Sequence, residues 1–440
     1  MTAPAEPQPL ASELLARGEE MKAWIRRAFP ICRSITGDGV RQTLALAREI
    51  APFQVVEVPS GTPALDWTVP REWRVREAWI RDPSGRKVVD FAEHNLHLMS
   101  YSVPVHARLS RAELEGHLHS LPEQPELIPY RTSYYQENWG FCLPHRLRQT
   151  LPEGEYEVLV ASELFAGSLS YGELFLPGRE SREVLVSAHL CHPSLANDNL
   201  SGLAVACFLA RELASRERRF GYRFLLLPGT IGSLVWLSRN EEAARRVEAG
   251  LVAANLGDAG GFHYKRSRRG DARIDRAVAH VLASAGLPHE LADFEPFGYD
   301  ERQYCSPGFN LPVGSLTRTP WGRYPEYHTS ADNLELVRAA SLGESLAVYE
   351  RVIRLLEADR RYLNLSPKGE PQLGRRGLYR AVGGQGARQR ELALLWMLNQ
   401  SDGEQRLLDI AERSGLPFEA LLEAATDLER AGLLSPMGER

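Results

Sequence analysis

Cysteine is scarce in this chain: five in 440 residues (Cys32, Cys142, Cys191, Cys207, Cys305), an odd number with no C-x-x-C pair. That excludes a disulfide framework and fits a reducing compartment. No apolar run approaches the roughly 20 residues a membrane-spanning helix needs. The opening stretch MTAPAEPQPLASELLARGEE carries neither a basic n-region nor an apolar h-region. A cytoplasmic protein with no membrane partner is therefore expected. Positive charge is not in excess either. Lys+Arg number 52 against 57 Asp+Glu, a net charge of −5, which argues against a whole-protein role on nucleic acid. What is present is 43% hydrophobic residues, in a chain long enough for about two to four domains with ample core.

Along the chain the texture changes twice. Glu13 to Ala28 has apolar residues at helical spacing, Asp38 reads as the N-cap of a second helix, and FQVVEV (53–58) reads as a strand. Residues 62–153 are rich in aromatics, prolines and short β-like runs, with one short helix near 110–118, and read as a β-rich insert. Then strands and helices alternate. EYEVLVASEL, EVLVSAH (183–189), RFLLLP (223–228), GLVAANLG and LPVGSLTR are the strands, and 199–214, 231–247, 271–285 and 336–358 are the helices. Continuous apolar strands between amphipathic helices predict an α/β sheet covered on both faces. Active residues in such sheets belong at the carboxyl ends of the strands. The expected division is a core of 1–61 with 154–362, the insert 62–153, a Gly- and Pro-rich linker at 363–386, and a last domain at 387–440.

That last domain reads helix, turn at Gly415, helix and a final ERAGLL, which is a winged-helix pattern. From residue 388 onward it holds six arginines (Arg388, Arg390, Arg406, Arg413, Arg430, Arg440) against ten acids. The helix that would enter a groove bears Glu419, Glu423, Asp427 and Glu429, which phosphates repel. Packing or self-association is expected of it, not DNA binding.

The densest chemistry is SAHLCHPSLANDNLSG (187–202), where a strand ends at His189 and Asp198 precedes a helix. Imidazole and carboxylate on one loop can ligate zinc, and a carboxylate can bridge two ions. NLGDAGG places Asp258 after an apolar strand, and YPEYHTSADNLE presents His328 before the last core helix. Each has a plainer reading. His189 and His192 can be incidental, Asp198 and Asp332 can be N-caps, and Asp258 a turn residue. Their joint position at strand ends favours a metal site.

The blocks AHL…NDNLSG, GD after a strand and YHTSADN resemble the signature of the co-catalytic di-zinc aminopeptidases. Over nearly its full length the chain is similar to bacterial aminopeptidase-like proteins with a β-rich insert and a C-terminal winged helix, which often accompany polysaccharide or secondary-metabolite genes. FPICRSITGDGVR, TSYYQENWGFC, YKRSRRGD and GYDERQYCSPG are further matching blocks. The resemblance implies a zinc-exopeptidase-like core, a mixed and mostly parallel sheet with helices on both faces, holding one or two zinc ions. His189, Asp198 and Asp258 would form one zinc site. Asp198 and His328 would contribute to the second, and Tyr327 would polarise the scissile carbonyl.

Two departures stand out against that pattern. Cys191 occupies a position where the superfamily usually has Asp, and His192 is placed to take over that role or to bind metal itself. After RFLLL, the stretch Pro228-Gly229-Thr230 contains no acid where a general base and a carboxylate ligand are expected. The resemblance implies Glu where Gly229 stands, so Gly229 is the candidate position of a lost acid, and either the chemistry has moved or it is impaired. Glu301, Asp300 and Glu137 are the candidate substitutes, with Glu301 taken as the catalytic one.

On the substrate side, Arg33 and Arg302 are candidate carboxylate clamps, Asp300 a candidate holder of an α-ammonium, and Tyr135 a wall of an aromatic pocket. The basic run 265–269 reads as a solvated face. The expectation is a zinc-dependent hydrolase of an amide in a small peptide or aminoacyl conjugate, with self-association open. The alternative is a metal- or ligand-binding protein that has lost hydrolysis at Gly229.

Overall fold

The structure is a computed structural model that describes residues 8–378 and 385–438. Residues 379–384 near the end of the expected linker, residues 1–7, and Glu439 and Arg440 of the charge count lie outside the described residues. The chain divides into two compact units. One holds the described residues up to 275 with Leu287–Tyr349, and the other holds Arg276–Gly286 with the residues from Glu350 onward. No helix among the described residues is long and apolar enough to cross a membrane.

The first unit is built on an eight-stranded mixed sheet. Its order is Gln54–Pro59, Ser168–Leu176, Gly221–Leu227, Glu183–His189, Val247–Ala253, Val313–Thr317, Phe262–Lys265, His289–Ala292. The four strands at its centre, 221–227, 183–189, 247–253 and 313–317, run parallel. Strands 183–189 and 221–227 are buried at every residue, as a sheet covered on both faces requires. Glu183 can sit there because Arg223 and Arg246 pair with its two oxygens at 2.7 and 2.8 Å. The helix Gly202–Ala214 is buried almost all round, between the sheet and the first helix, Gln8–Ala28.

Several sequence expectations need correction. EYEVLVASEL, expected in the core, forms Glu155–Phe165 of a separate antiparallel sheet, ordered Lys87–Asp90, Glu72–Arg81, Glu155–Phe165, Val105–Ser110. Its alternation explains this: Tyr156, Val158 and Val160 face inward while their neighbours are more exposed, the mark of a strand with one buried face. The strand Ser168–Leu176 went unread. Helix 231–247 is two helices, Ile231–Arg239 and Glu241–Arg245, broken at Asn240. Gly37, at φ 101°, caps the second helix, and Asp38 is its first residue.

In the second unit, Arg361–Asn364 pairs with Asp402–Arg406 and Leu434–Pro436, beside the helices Gln385–Gln400, Leu407–Ser414 and Phe418–Arg430. The winged-helix sheet therefore recruits residues expected in the core and linker. Arg276 binds Asp409 and Glu412 of this unit at 2.6 and 2.5 Å, neutralising part of its acidity.

Candidate metal centre and its cavity

The four parallel strands deliver their loops to one edge. After Glu183–His189 the chain turns through a buried, irregular segment, Ala196–Ser201, before helix Gly202–Ala214. Asp198 is fully buried in that segment. Its Oδ1 lies 2.8 Å from His189 Nε2 and its Oδ2 lies 3.1 Å from His328 Nε2. One carboxylate thus engages two imidazoles from separate loops. His192 completes the group: ligand atoms of His189, His192 and Asp198 lie within 4.8 Å of one another. His192 Nδ1 is buried without a hydrogen-bond partner.

Electrostatics follow from the crowding. Burial by itself would raise the Asp198 carboxyl, yet the imidazoles of His192 and His189 hold it well below the usual range. Burial drives His192 well below its ordinary value, while in His189 the same burial is outweighed by Asp198 and the net shift is upward. Three imidazoles around one ionised carboxylate, one of them with an orphaned nitrogen, form a donor set that suits zinc.

Neighbouring groups hold these side chains in place. Asp332, buried and pushed up to about 7 by that burial, accepts the backbone N–H of Asn197 at 2.5 Å and of Asp198 at 3.0 Å. It anchors the loop that carries Asp198 and does not cap its own helix. Asn199 Nδ2 donates to the carbonyls of His189 and Ala253 at 3.2 and 3.0 Å. Tyr299 stacks on His189 at 5.4 Å between ring centroids. Sequence reasoning missed Tyr299, although it lies in the GYDERQYC block, and saw Asn199 only as part of NDN. The loop of His328 is tied to the segment around Ile128, with Tyr130 N–H donating to the His328 carbonyl at 2.8 Å and Ser330 N–H to that of Ile128 at 2.9 Å.

A cavity of about 390 Å³ opens on the cluster, lined in part by Gly229, Thr230, Tyr299, Asp300, Trp321 and Tyr327. Tyr327 stacks on His328 at 3.9 Å. Asp300 is 1% exposed; Ser233 donates to its Oδ1 at 2.8 Å, its Oδ2 has no partner, and burial pushes it up to about 6. A Cβ built on Gly229 would stand 3.6 and 3.7 Å from the Asp300 oxygens and 3.1 Å from His189 Cβ. Of the two acids lining this cavity, Asp198 and Asp300, it is Asp300 whose oxygens stand beside Gly229.

Three expected site residues are placed otherwise. Asp258 does not join the cluster. Its Oδ1 accepts from Gly260 N–H at 2.7 Å and the Thr319 hydroxyl at 2.6 Å, and its Oδ2 accepts from Asn197 Nδ2 at 3.1 Å and Thr319 N–H at 3.3 Å, so both oxygens are spent on holding loops. Glu301, expected as the base, is fully buried in an ion pair with Lys265 at 2.5 Å and does not line the cavity. Arg33, expected as a clamp, donates to the carbonyls of His192 at 3.0 Å and Ala28 at 2.6 Å, a prop for the metal loop. Burial lowers it to about 10. Glu137 is exposed and pairs with Arg71. Arg302 and Tyr135 line a second, smaller cavity that also touches Gly229 and Thr230.

Comparison with known proteins places this architecture. In fold, residues of this chain superpose on a zinc aminopeptidase of Bacillus subtilis with a TM-score of 0.57 at 13% identity, covering 77% of this chain and 94% of that one. The class is thus a mixed α/β protein with an aminopeptidase-like core and a C-terminal winged helix. A Clostridium acetobutylicum protein provisionally named as a polysaccharide biosynthesis protein with an aminopeptidase-like domain is 49% identical over 418 residues, 95% of this chain and 96% of its own. A crystal structure of a provisional peptidase from the same organism matches with a TM-score of 0.93 at 47% identity, over 98% of this chain and 99% of that one. The chain belongs to the family described as a domain of unknown function, DUF4910, which matches residues 22–359, followed by a winged helix-turn-helix family at residues 360–436.

Proposed function

We propose that the protein is a zinc-dependent hydrolase of an amide bond in a small peptide or aminoacyl conjugate. The observation that carries this reading is the convergence of His189, His192, His328 and Asp198 at the mouth of a cavity that also holds the buried acid Asp300. His189, His192 and an Asp198 oxygen would hold one ion, with His328 on the far oxygen. When bound, zinc supplies Lewis acidity to a carbonyl oxygen and lowers the pKa of a water molecule. The chain's own groups do the rest. Asp300 is the acceptor for a proton taken up during attack, since Glu301 is committed to Lys265 and Glu137 is exposed, paired with Arg71 and not part of the cavity lining. The Tyr327 hydroxyl donates to the developing oxyanion, and Phe297 and Trp321 exclude water from that side. A volume of about 390 Å³ is of the size that takes a small molecule or the end of a larger one. The name of the Clostridium relative supports a conjugate of polysaccharide biosynthesis over a protein substrate.

A second reading is favoured by Gly229, which brings no carboxylate to the cavity wall beside His189 and Asp300: a metal- or ligand-binding protein without turnover. One experiment separates them. Zinc content and release of p-nitroaniline from aminoacyl p-nitroanilides are measured for the wild type, Asp300→Asn and Gly229→Glu. Zinc with turnover that Asp300→Asn reduces at least a hundredfold supports the hydrolase. Zinc without turnover, restored by Gly229→Glu, supports the second reading. No zinc in any form defeats the hydrolase and the metal-binding form of the second reading.

A further inference from the structure

We propose that the cavity between Arg302 and the aromatic pair Trp67 and Tyr135 is a subsite for a carboxylate borne on a flat part of the substrate. It rests on the hydrolase reading for the reaction but not for the binding. The cavity measures about 200 Å³ and shares Gly229 and Thr230 with the metal cavity, so a ligand filling both places its middle at those two residues.

Arg302 carries the argument. Among the described residues it makes no hydrogen bond or ion pair, and its Nε is shut off from solvent without an acceptor. A guanidinium has five N–H donors, and burying one unmet is costly, so native proteins rarely do it without a ligand or ion to receive it. Its guanidinium carbon lies 5.7 Å from the centre of the Phe297 ring, and its charge acts on Asp300 without a hydrogen bond or ion pair to it. Nothing acidic lines this cavity, so it is not built for an amine. The fork would grip a carboxylate bidentately, and Arg302 is the one cation among the residues lining the cavity, which matches a monoanion better than a phosphate dianion.

The aromatic side comes from the insert. Trp67 is 46% exposed and Tyr135 53%, and their rings meet at 5.2 Å with a 58° tilt. Two large rings left half in water at a cavity mouth are a stacking platform for a planar or sugar-like face. Ile35, Ile231 and Leu234 make the floor apolar. The substrate class assigned is an N-acyl or N-aminoacyl compound with a carboxylate a few bonds from the cleaved amide and a flat apolar face.

Hippurate is a suitable probe, having a ring, an amide and a carboxylate, with hippuramide as its neutral counterpart and phenyl phosphate as the dianion. Titration calorimetry is run on the full chain, stripped of metal with EDTA and again with zinc added. Hippurate is expected to bind at least tenfold more tightly than hippuramide in both states. Arg302→Gln removes that preference, Arg302→Lys restores part of it, and Trp67→Ala weakens both ligands several-fold. Equal binding of hippurate and hippuramide, no binding at all, or an unchanged preference in Arg302→Gln with a wild-type melting temperature overturns the proposal. Phenyl phosphate binding tenfold more tightly than hippurate overturns the carboxylate assignment. Zinc content, measured on the same samples, reports on the metal centre separately, so loss of the subsite and loss of the hydrolase reading are distinguishable.

Discussion

Lys265 is the residue whose removal tests the placement of Glu301 most directly. Its ammonium donates to Glu301 Oε1 at 2.5 Å and to the carbonyls of Phe297 and Glu295 at 2.5 and 3.2 Å, using all three of its protons. Glu301 is fully buried, and its other oxygen has no partner. Lys265→Met therefore leaves a buried carboxylate with one neutral donor, the Tyr299 N–H at 3.2 Å, and strands two carbonyls. Breaking a buried pair this way costs about 3–5 kcal/mol. The double variant Lys265→Met/Glu301→Leu removes the orphan charge, so the residual loss is roughly 1–3 kcal/mol from the carbonyls. The cycle should then show a coupling of about 2 kcal/mol or more, read as urea midpoints at constant m-value. Additive losses would refute the ion-pair reasoning. So would a Glu301→Gln variant of wild-type stability whose turnover is abolished, because Glu301 would then be the base after all.

Asp332→Ala strips the acceptor from two buried N–H groups beside Asp198; stability should fall by about 2–5 kcal/mol and zinc affinity at least tenfold, measured by melting with and without zinc and by chelator competition. Unchanged values for both would show that Asp332 does not hold the loop. His94, depressed to about 4 by burial and the nearby His97, accepts the Leu96 N–H through Nδ1 as a neutral ring at 3.1 Å. Its folded-state pKa lies below the unfolded one, so the unfolded chain binds the proton more readily, and stability is full above about pH 6.5 and lost as pH falls toward 4. With screening of its part-exposed ring the loss is on the order of 1–2 kcal/mol, and His94→Gln should flatten the urea midpoint against pH over that window; an unaltered slope would rule His94 out. The acidic helix Phe418–Arg430 predicts no electrophoretic shift of duplex DNA even at low salt, and a shift that salt abolishes would contradict the charge argument.

The sequence disclosed the sheet best where strands are apolar throughout, as at 183–189 and 221–227, since both faces are covered and nothing else explains such runs. It disclosed that His189, Asp198 and His328 stand at strand ends, and the structure brings those three together. Strand 168–176 escaped because Ser170, Gly172 and Glu173 interrupt it. Gly172 is there for packing, as a Cβ would meet Leu44 at 2.7 Å. The fates of Asp258 and Glu301 were not legible, because a carboxylate's partners are set by tertiary neighbours. Lys265 looked like the start of a solvated basic run, yet it is buried at the end of a strand while Arg268 and Arg269 are exposed. Arg302 was named as a clamp for its residue type. Its lack of an acceptor is visible only in three dimensions.

The backbone bonds between Ile128–Tyr130 and His328–Ser330 bear on modularity. A segment of the insert and the loop of the last histidine are laced together by reciprocal main-chain hydrogen bonds, reinforced by Gln124 on the Pro325 carbonyl at 2.7 Å. Residues 124–130 are therefore not separable from the core, because they are part of the frame that aims His328 at Asp198. Excising residues 128–130 would strip the His328 loop of one backbone donor and one acceptor, which a replacement segment would have to supply.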